Sequence, residues 1–103
     1  MRFVVHVSDA SRLDAAEAAG WYESRQPGLG AKFRASVKAA IGNLRDDALL
    51  HRIRFRDVRR AGLRRFRDYG LFYVVRGDEV TIFAIVHGAR NPTWVRRRRS
   101  HLG

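Results

Sequence analysis

The residues with chemical reach in this sequence are arginines and a few histidines. Lysine and arginine together number 21 against 10 aspartates and glutamates, a formal net charge of +11 at pH 7, and only Lys32 and Lys38 are lysines. A guanidinium stays protonated, so arginine supplies positive charge and a fork of donors but not a general base. Such residues bind phosphates and carboxylates, and an imbalance this large points to a polyanion or an acidic protein as partner. The competing reading is an arginine-heavy composition whose side chains are simply solvated. Groups that titrate near neutrality are limited to His6, His51, His87 and His101, and their spacing fits no zinc motif. There is no cysteine, which removes disulfides, thiolate metal ligands and thiol nucleophiles together. No phosphate-cradling glycine loop and no serine in a recognisable nucleophile setting appears. Neither a metal nor a cofactor is expected, and a small-molecule enzyme is disfavoured.

These side chains need a scaffold, and the hydrophobic pattern supplies one. Phe3 to Val7 reads as a strand with Phe3, Val5 and Val7 on one face and Val4 and His6 on the other; His6 reads as a packed or edge histidine. Ser8 and Asp9 are good N-cap residues for a helix from about Ala10 to Arg25. On it Ala15, Ala18, Ala19 and Tyr22 form one stripe and Leu13, Glu17, Gly20 and Ser24 another, so the small residues predict a close-packing face; Trp21 and Tyr22 read as core or interface. Pro27-Gly28-Leu29-Gly30 then breaks the chain into a helical hairpin. Phe33, Val37, Ala40, Ile41 and Leu44 give the clearest amphipathic pattern, a second helix from about Ala31 to Arg45 with Lys32, Arg34 and Lys38 outside. Asp46 and Asp47 oppose the macrodipole and should stop it.

Leu49 to Phe55 reads as a loop. From Val58 to Phe66 arginines interleave with Ala61, Leu63 and Phe66, a strand with one wet face in which Gly62 suggests a bend or bulge. Tyr69 to Arg76 and Glu79 to His87 flank Gly77-Asp78 as a hairpin of two central strands, apolar on both faces. On the second of these, Val80, Ile82, Ala84 and Val86 are expected on one face and Phe83 and Ile85 on the other. The chain ends in a basic tail, residues 93–103, with Trp94 and Arg96, Arg97, Arg98 and Arg99, which reads as a last helical turn or as disorder. The order is β-α-α-β-β-β, an α+β fold in which a helical hairpin packs on a small antiparallel sheet. At 103 residues, with 46% hydrophobic and 11% aromatic residues, one domain spanning 1–103 is expected. The apolar N-terminal run is too short for a secretory signal and no segment reaches a membrane span, so the expected address is the cytoplasm, with no membrane partner.

Several of these pieces also occur together in one family. Trp21-Tyr22-Glu23, Pro27-Gly28-Leu29-Gly30 with Phe33, Gly62-Leu63-Arg64-Arg65-Phe66, Tyr69-Gly70-Leu71-Phe72-Tyr73 and Val86-His87-Gly88-Ala89-Arg90-Asn91-Pro92 run in order along nearly the whole chain. In this the sequence resembles the plasmid-stabilisation toxins of the RelE/ParE superfamily. The resemblance implies a type II toxin–antitoxin system, with a cognate acidic antitoxin wrapped around the toxin in a hetero-oligomer.

That superfamily carries two chemistries on one scaffold: cleavage of messenger RNA on the ribosome, and poisoning of DNA gyrase. Cleavage by the 2′-hydroxyl requires a group to take its proton, a donor for the leaving oxygen and cations for the charge on phosphorus. Against the ribonuclease branch, the arginine that follows the strand's opening tyrosine falls on Gly70, the strand lysines have only Arg64 and Arg65 in their place, and the C-terminal tyrosine has no match beyond Arg90. Trp94 is the aromatic there, and an indole has no proton that titrates near neutrality. A ribonuclease would have to rely on Arg65, His87 and Arg90. The His87-Gly88-Ala89-Arg90 end is more typical of the gyrase-poison branch, which needs no acid–base set. In that reading Arg64, Arg65 and Arg90 line a basic sheet face, and Trp94 with Arg96, Arg97, Arg98 and Arg99 forms an interface element, tryptophan and arginine being frequent anchors. The readings to be separated are a gyrase poison, an mRNA endoribonuclease and a basic binding module that has lost its toxicity.

Overall fold

A computed structural model describes residues 2–88 and 92–102. The chain runs β1 (Val4–Val7), α1 (Asp9–Arg25), α2 (Leu29–Asp47), β2 (Ile53–Phe55), β3 (Val58–Gly62), β4 (Tyr69–Arg76), β5 (Glu79–His87) and α3 (Pro92–Ser100). The helix starts follow from local chemistry. The Ser8 hydroxyl accepts from the Ser11 amide at 3.1 Å, satisfying one of the free N–H groups of α1. At the α1–α2 corner Gly28 takes φ +88°, a left-handed conformation that a side chain would strain. The Glu23 carboxylate closes the corner by accepting from the amides of Gly28 and Gly30, and these bonds hold its pKa below the usual glutamate value.

The five strands form one mixed sheet in the order β1-β5-β4-β3-β2. β2 to β5 make an antiparallel meander, whereas β1 lies parallel to β5, with Val4 beside Glu79 and Val7 beside Ile82. The fold is thus the expected α+β arrangement with three refinements. The sheet is not wholly antiparallel, because α1 and α2 carry the chain away before the meander and β5 ends it beside β1. The stretch read as a loop contains β2, and the C-terminal tail is a helix of nine residues.

The helical hairpin covers one sheet face. Ala15, Ala18 and Ala19 of α1 and Phe33, Val37 and Leu44 of α2 pack there against Leu71, Tyr73, Val80, Ile82 and Ile85. The alanine stripe and the α2 periodicity were read correctly. An aromatic cluster fills the end nearest the helix corner: Tyr22 stacks on Phe33 with centroids 5.3 Å apart and meets Phe66 edge-on at 4.7 Å. The opposite face is smaller, with Val58, Val74, Phe83, Ala84 and Val86 lying under Val95 of α3.

The division between faces rests on a bulge that the alternating pattern of β5 conceals. Leu71 pairs with Ile85 and Phe72 with Ala84, but Tyr73 pairs with Ile82, leaving Phe83 as an extra residue. One inserted residue reverses the parity of the strand. Val80, Ile82 and Ile85 therefore share the hairpin face, and Phe83, Ala84 and Val86 share the other, which corrects the strict alternation expected for this strand. Of the bend or bulge expected at Gly62 no bulge is present, since its register with Gly70 is regular; the strand expected as far as Phe66 ends at Gly62, where the chain leaves the sheet.

Candidate functional site

On the α3 face the sheet is not fully covered. Between β2, β3, β4 and the start of α3 lies an open cleft of about 540 Å³, lined by Arg52, Arg54, Arg60, Arg67 and Arg96, with Asp68 at the rim. Phe55 and Phe72 form its apolar floor. The guanidinium of Arg60 lies 5.9 Å from the Phe72 ring centroid and that of Arg96 lies 5.2 Å from the Phe55 ring, so each cation sits against an aromatic face.

Arg60 occupies the centre because β4 makes room for it. Gly70 is buried opposite it, and a Cβ there would come 2.5 Å from the Arg60 Nε. The glycine standing where the ribonuclease branch has an arginine thus accommodates the side chain of a different arginine. Arg60 also donates to the Asp68 carbonyl at 3.4 Å. Burial lowers its pKa from the ordinary arginine value, and neighbouring Arg54 lowers it further. The group remains a cation near neutral pH. Among the described residues none of the five arginines forms an ion pair with a carboxylate.

The arginines of α3 divide into two kinds. Arg98 is bound inward: its Nη1 donates to Asp14 Oδ2 at 3.1 Å and to the Phe83 carbonyl at 3.0 Å, its Nη2 donates to Asp14 Oδ1 at 3.2 Å, and the guanidinium lies 4.4 Å from the Trp94 ring centroid. Asp14 also accepts from the Ile85 amide at 3.0 Å, where β5 has outrun β1. Arg99 makes a two-pronged pair with Asp57 at 3.2 and 2.9 Å, and this contact draws the Asp57 pKa below the usual carboxylate value. Arg96 and Arg97 are exposed. The tail is therefore neither a uniform docking element nor a uniformly solvated charge run, since half of it fastens α3 to the sheet.

The remaining candidate residues are dispersed. Arg64 and Arg65 are exposed in the loop between β3 and β4 and do not line the sheet face expected for them. Arg90 lies outside the described residues. His87 is on the hairpin side of the sheet, edge-on to Tyr69 at 5.4 Å and 3.8 Å from Asp68. It borders a small hollow with Asp14, Glu17 and Trp21 and does not itself line the arginine cleft, Asp68 standing between the two. Arg65 lies in the loop between β3 and β4 and His87 at the end of β5. The cleft arginines Arg52, Arg54, Arg60 and Arg67 were not singled out by the sequence reading. For Arg52 and Arg54 the signal was the alternation Arg52-Ile53-Arg54-Phe55, a period of two that marks β2 inside what read as a loop; nothing local marked out Arg60 and Arg67. Among the described residues no group of histidine and acidic side chains has the geometry to hold a metal, and no helix is long and apolar enough to cross a membrane.

Comparison with known proteins agrees with this architecture. Residues 5–92 match the family model of the ParE toxin of type II toxin–antitoxin systems, parDE. A solved structure described as a chromosomal ParDE toxin–antitoxin system from P. aeruginosa superposes with a TM-score of 0.73, covering 84% of this chain and 96% of that one at 17% identity, a likeness of fold. No curated protein sequence matches the chain. With the family model spanning the sheet, both hairpin helices and the approach to α3, the chain belongs to the ParE toxin family of type II toxin–antitoxin systems.

Proposed function

We propose that this ParE-family chain poisons DNA gyrase when free and is neutralised by a cognate acidic antitoxin, with which it forms a hetero-oligomer. The observation that carries the reading is the composition of the basic cleft. Its cations are all arginines, which stabilise negative charge but cannot take a proton from a 2′-hydroxyl near neutral pH. His87, the candidate base, borders the hollow beside α1 and is not among the residues that line the cleft. A toxin that acts by binding its target needs charge and anchors rather than a proton relay. Arg64 and Arg65 on their loop, and the exposed Arg96 and Arg97 with Trp94 on α3, supply such anchors, and Arg90 is proposed to act with them; Arg98 and Arg99 hold α3.

The test is a short pulse of labelled thymidine and labelled methionine after the chain is induced without its antitoxin. Thymidine incorporation should fall first while translation continues, and the purified chain should inhibit supercoiling by gyrase. Early collapse of methionine incorporation, with transcripts cut at translated codons, overturns this reading in favour of ribosome-dependent mRNA cleavage. No growth defect at all would leave a basic binding module.

A further inference from the structure

We infer that the arginine cleft is a binding site for a single-stranded polynucleotide, its arginines holding successive phosphates and its aromatic floor supporting a base. This goes beyond the gyrase reading, because it assigns the toxin its own direct grip on nucleic acid, whichever protein it inhibits.

Three independent observations converge on it. The first is charge without counter-charge: Arg52, Arg54, Arg60, Arg67 and Arg96 face one cleft with a single acid, Asp68, at the rim. Some arginines elsewhere are paired, Arg98 with Asp14, Arg99 and Arg76 with Asp57, and Arg59 with the carbonyls of Leu49 and His51, whereas Arg34, Arg45, Arg64, Arg65 and Arg97 are exposed on helix or loop surface. What sets the cleft apart is that five arginines without a carboxylate partner among the described residues converge on one concavity. The second is a built position for the central cation. Buried Gly70 leaves the space that Arg60 fills, and Arg60 is held by the Asp68 carbonyl and the Phe72 ring while remaining at the cleft surface. Burial and the neighbouring Arg54 both disfavour the charge on Arg60, and a bound phosphate would offset both.

The third is the floor. Phe55 and Phe72 are half-buried, with aromatic surface facing the same space as the guanidiniums. Arginines interleaved with aromatics suit a strand whose bases are unstacked, since each base offers a π-face whatever its sequence. A duplex is a poor occupant, because reading it requires a helix or ribbon that projects into a groove, and this site is concave. A carboxylate-rich peptide satisfies the charge but makes no use of the aromatic floor.

The experiment uses the full chain freed of antitoxin, titrated into fluorescently labelled single-stranded DNA and RNA oligonucleotides of mixed sequence and followed by anisotropy over a salt series. Affinity should fall with salt with a logarithmic slope of roughly −2, as for about three phosphates neutralised on a single strand. Arg54→Gln/Arg60→Gln/Arg96→Gln should weaken binding at least about tenfold and flatten that slope. Arg34→Gln/Lys38→Gln/Arg45→Gln, which removes the same charge from the exposed side of α2, should change it less than about threefold. Phe72→Leu keeps an apolar side chain but removes the ring, and should cost about fivefold, near the lower end for loss of one stacked base. Circular dichroism of each variant separates lost binding from lost fold. Preference for DNA or for RNA identifies the strand, and either supports the site. Equal losses from the cleft and α2 variants overturn it, as does displacement of the oligonucleotide by polyglutamate at equal charge concentration. Gyrase inhibition is read separately: a chain that inhibits supercoiling yet binds no oligonucleotide refutes the cleft alone, and one that binds through the cleft without inhibiting refutes the gyrase reading alone.

Discussion

On the hairpin side of the sheet Phe33, Leu44, Leu71 and Tyr73 are fully buried, and the contacts that close that face are mainly apolar or aromatic, with buried hydroxyls of Ser11 and Tyr73 donating to the carbonyls of Ile82 and Ala48. On the α3 side the apolar contact is smaller, and the helix is fastened by Arg98 to Asp14 and Arg99 to Asp57. The first face follows the sequence pattern of a conventional core. The second joins residues far apart in the chain, 84 positions for Asp14 and Arg98 and 42 for Asp57 and Arg99. A basic surface is thereby held over a sheet without filling it, and the arginine cleft occupies the part that α3 leaves open. Apolar burial closes one face, and charge pairing helps to hold α3 on the other.

The comparison breaks most visibly by damaging the core. Phe33→Ala removes a buried ring that packs against Tyr22, Phe66 and Tyr69, and should cost about 3–5 kcal/mol in urea unfolding, with both faces lost in one transition. Next in size is Asp14→Ala. It leaves the Arg98 guanidinium with the Phe83 carbonyl but no counter-charge and the Ile85 amide without its carboxylate, and should cost about 2–4 kcal/mol. The distinguishing readout is trypsin cleavage within α3, which should accelerate more than global unfolding explains. Adding Arg98→Ala should recover part of the loss, because the stranded cation is then gone.

A smaller effect belongs to Tyr73, whose hydroxyl donates to the Ala48 carbonyl at 2.6 Å beneath the end of α2. Burial pushes its pKa to about 12. The folded value lies above that of the unfolded chain, so this stabilisation is complete below about pH 10 and is lost as pH rises through about 12. Tyr73→Phe should remove that alkaline component and cost about 1–2 kcal/mol at neutral pH through the unpaired carbonyl. Ultraviolet titration of tyrosinate should show one late-ionising group in the wild type that is absent from the variant.

The two faces also differ in how far the sequence disclosed them. The hairpin face was legible because its signals are local: the alanine stripe of α1, the period of α2 and the Pro27-Gly28 break each declare themselves within a few turns. The limits of β4 and β5 were legible for the same reason. The parity of β5 was not, because the bulge at Phe83 arises from pairing with β4 and leaves no mark on an apolar run. The parallel β1–β5 pair was missed because alternation marks a strand but not its neighbour. At the candidate site the positive charge was plain, but its sorting was not. Whether an arginine in α3 turns inward or outward depends on Asp14 and Asp57, distant carboxylates that spacing along the chain cannot identify.

The smallest expected effect is the sharpest probe of the α3 face, because it should leave the hairpin side untouched. The Arg99 pair draws the Asp57 carboxyl below its ordinary range. A folded pKa below the unfolded one means that the stabilisation is present above about pH 4 and is lost as pH falls through the depressed folded value. Asp57 is 43% exposed, so solvent and salt screen the pair, and its contribution should stay below about 1 kcal/mol. In a Trp21→Phe background Trp94 is the remaining tryptophan, and its fluorescence reports on α3 alone. Acid, or raised salt at neutral pH, should shift that signal before far-ultraviolet circular dichroism changes. Arg99→Gln should bring the shifted signal to neutral pH and remove its acid dependence. If fluorescence and circular dichroism instead change together in every condition, α3 is held by the apolar contact of Val95 rather than by its arginines, and the contrast between the two faces fails.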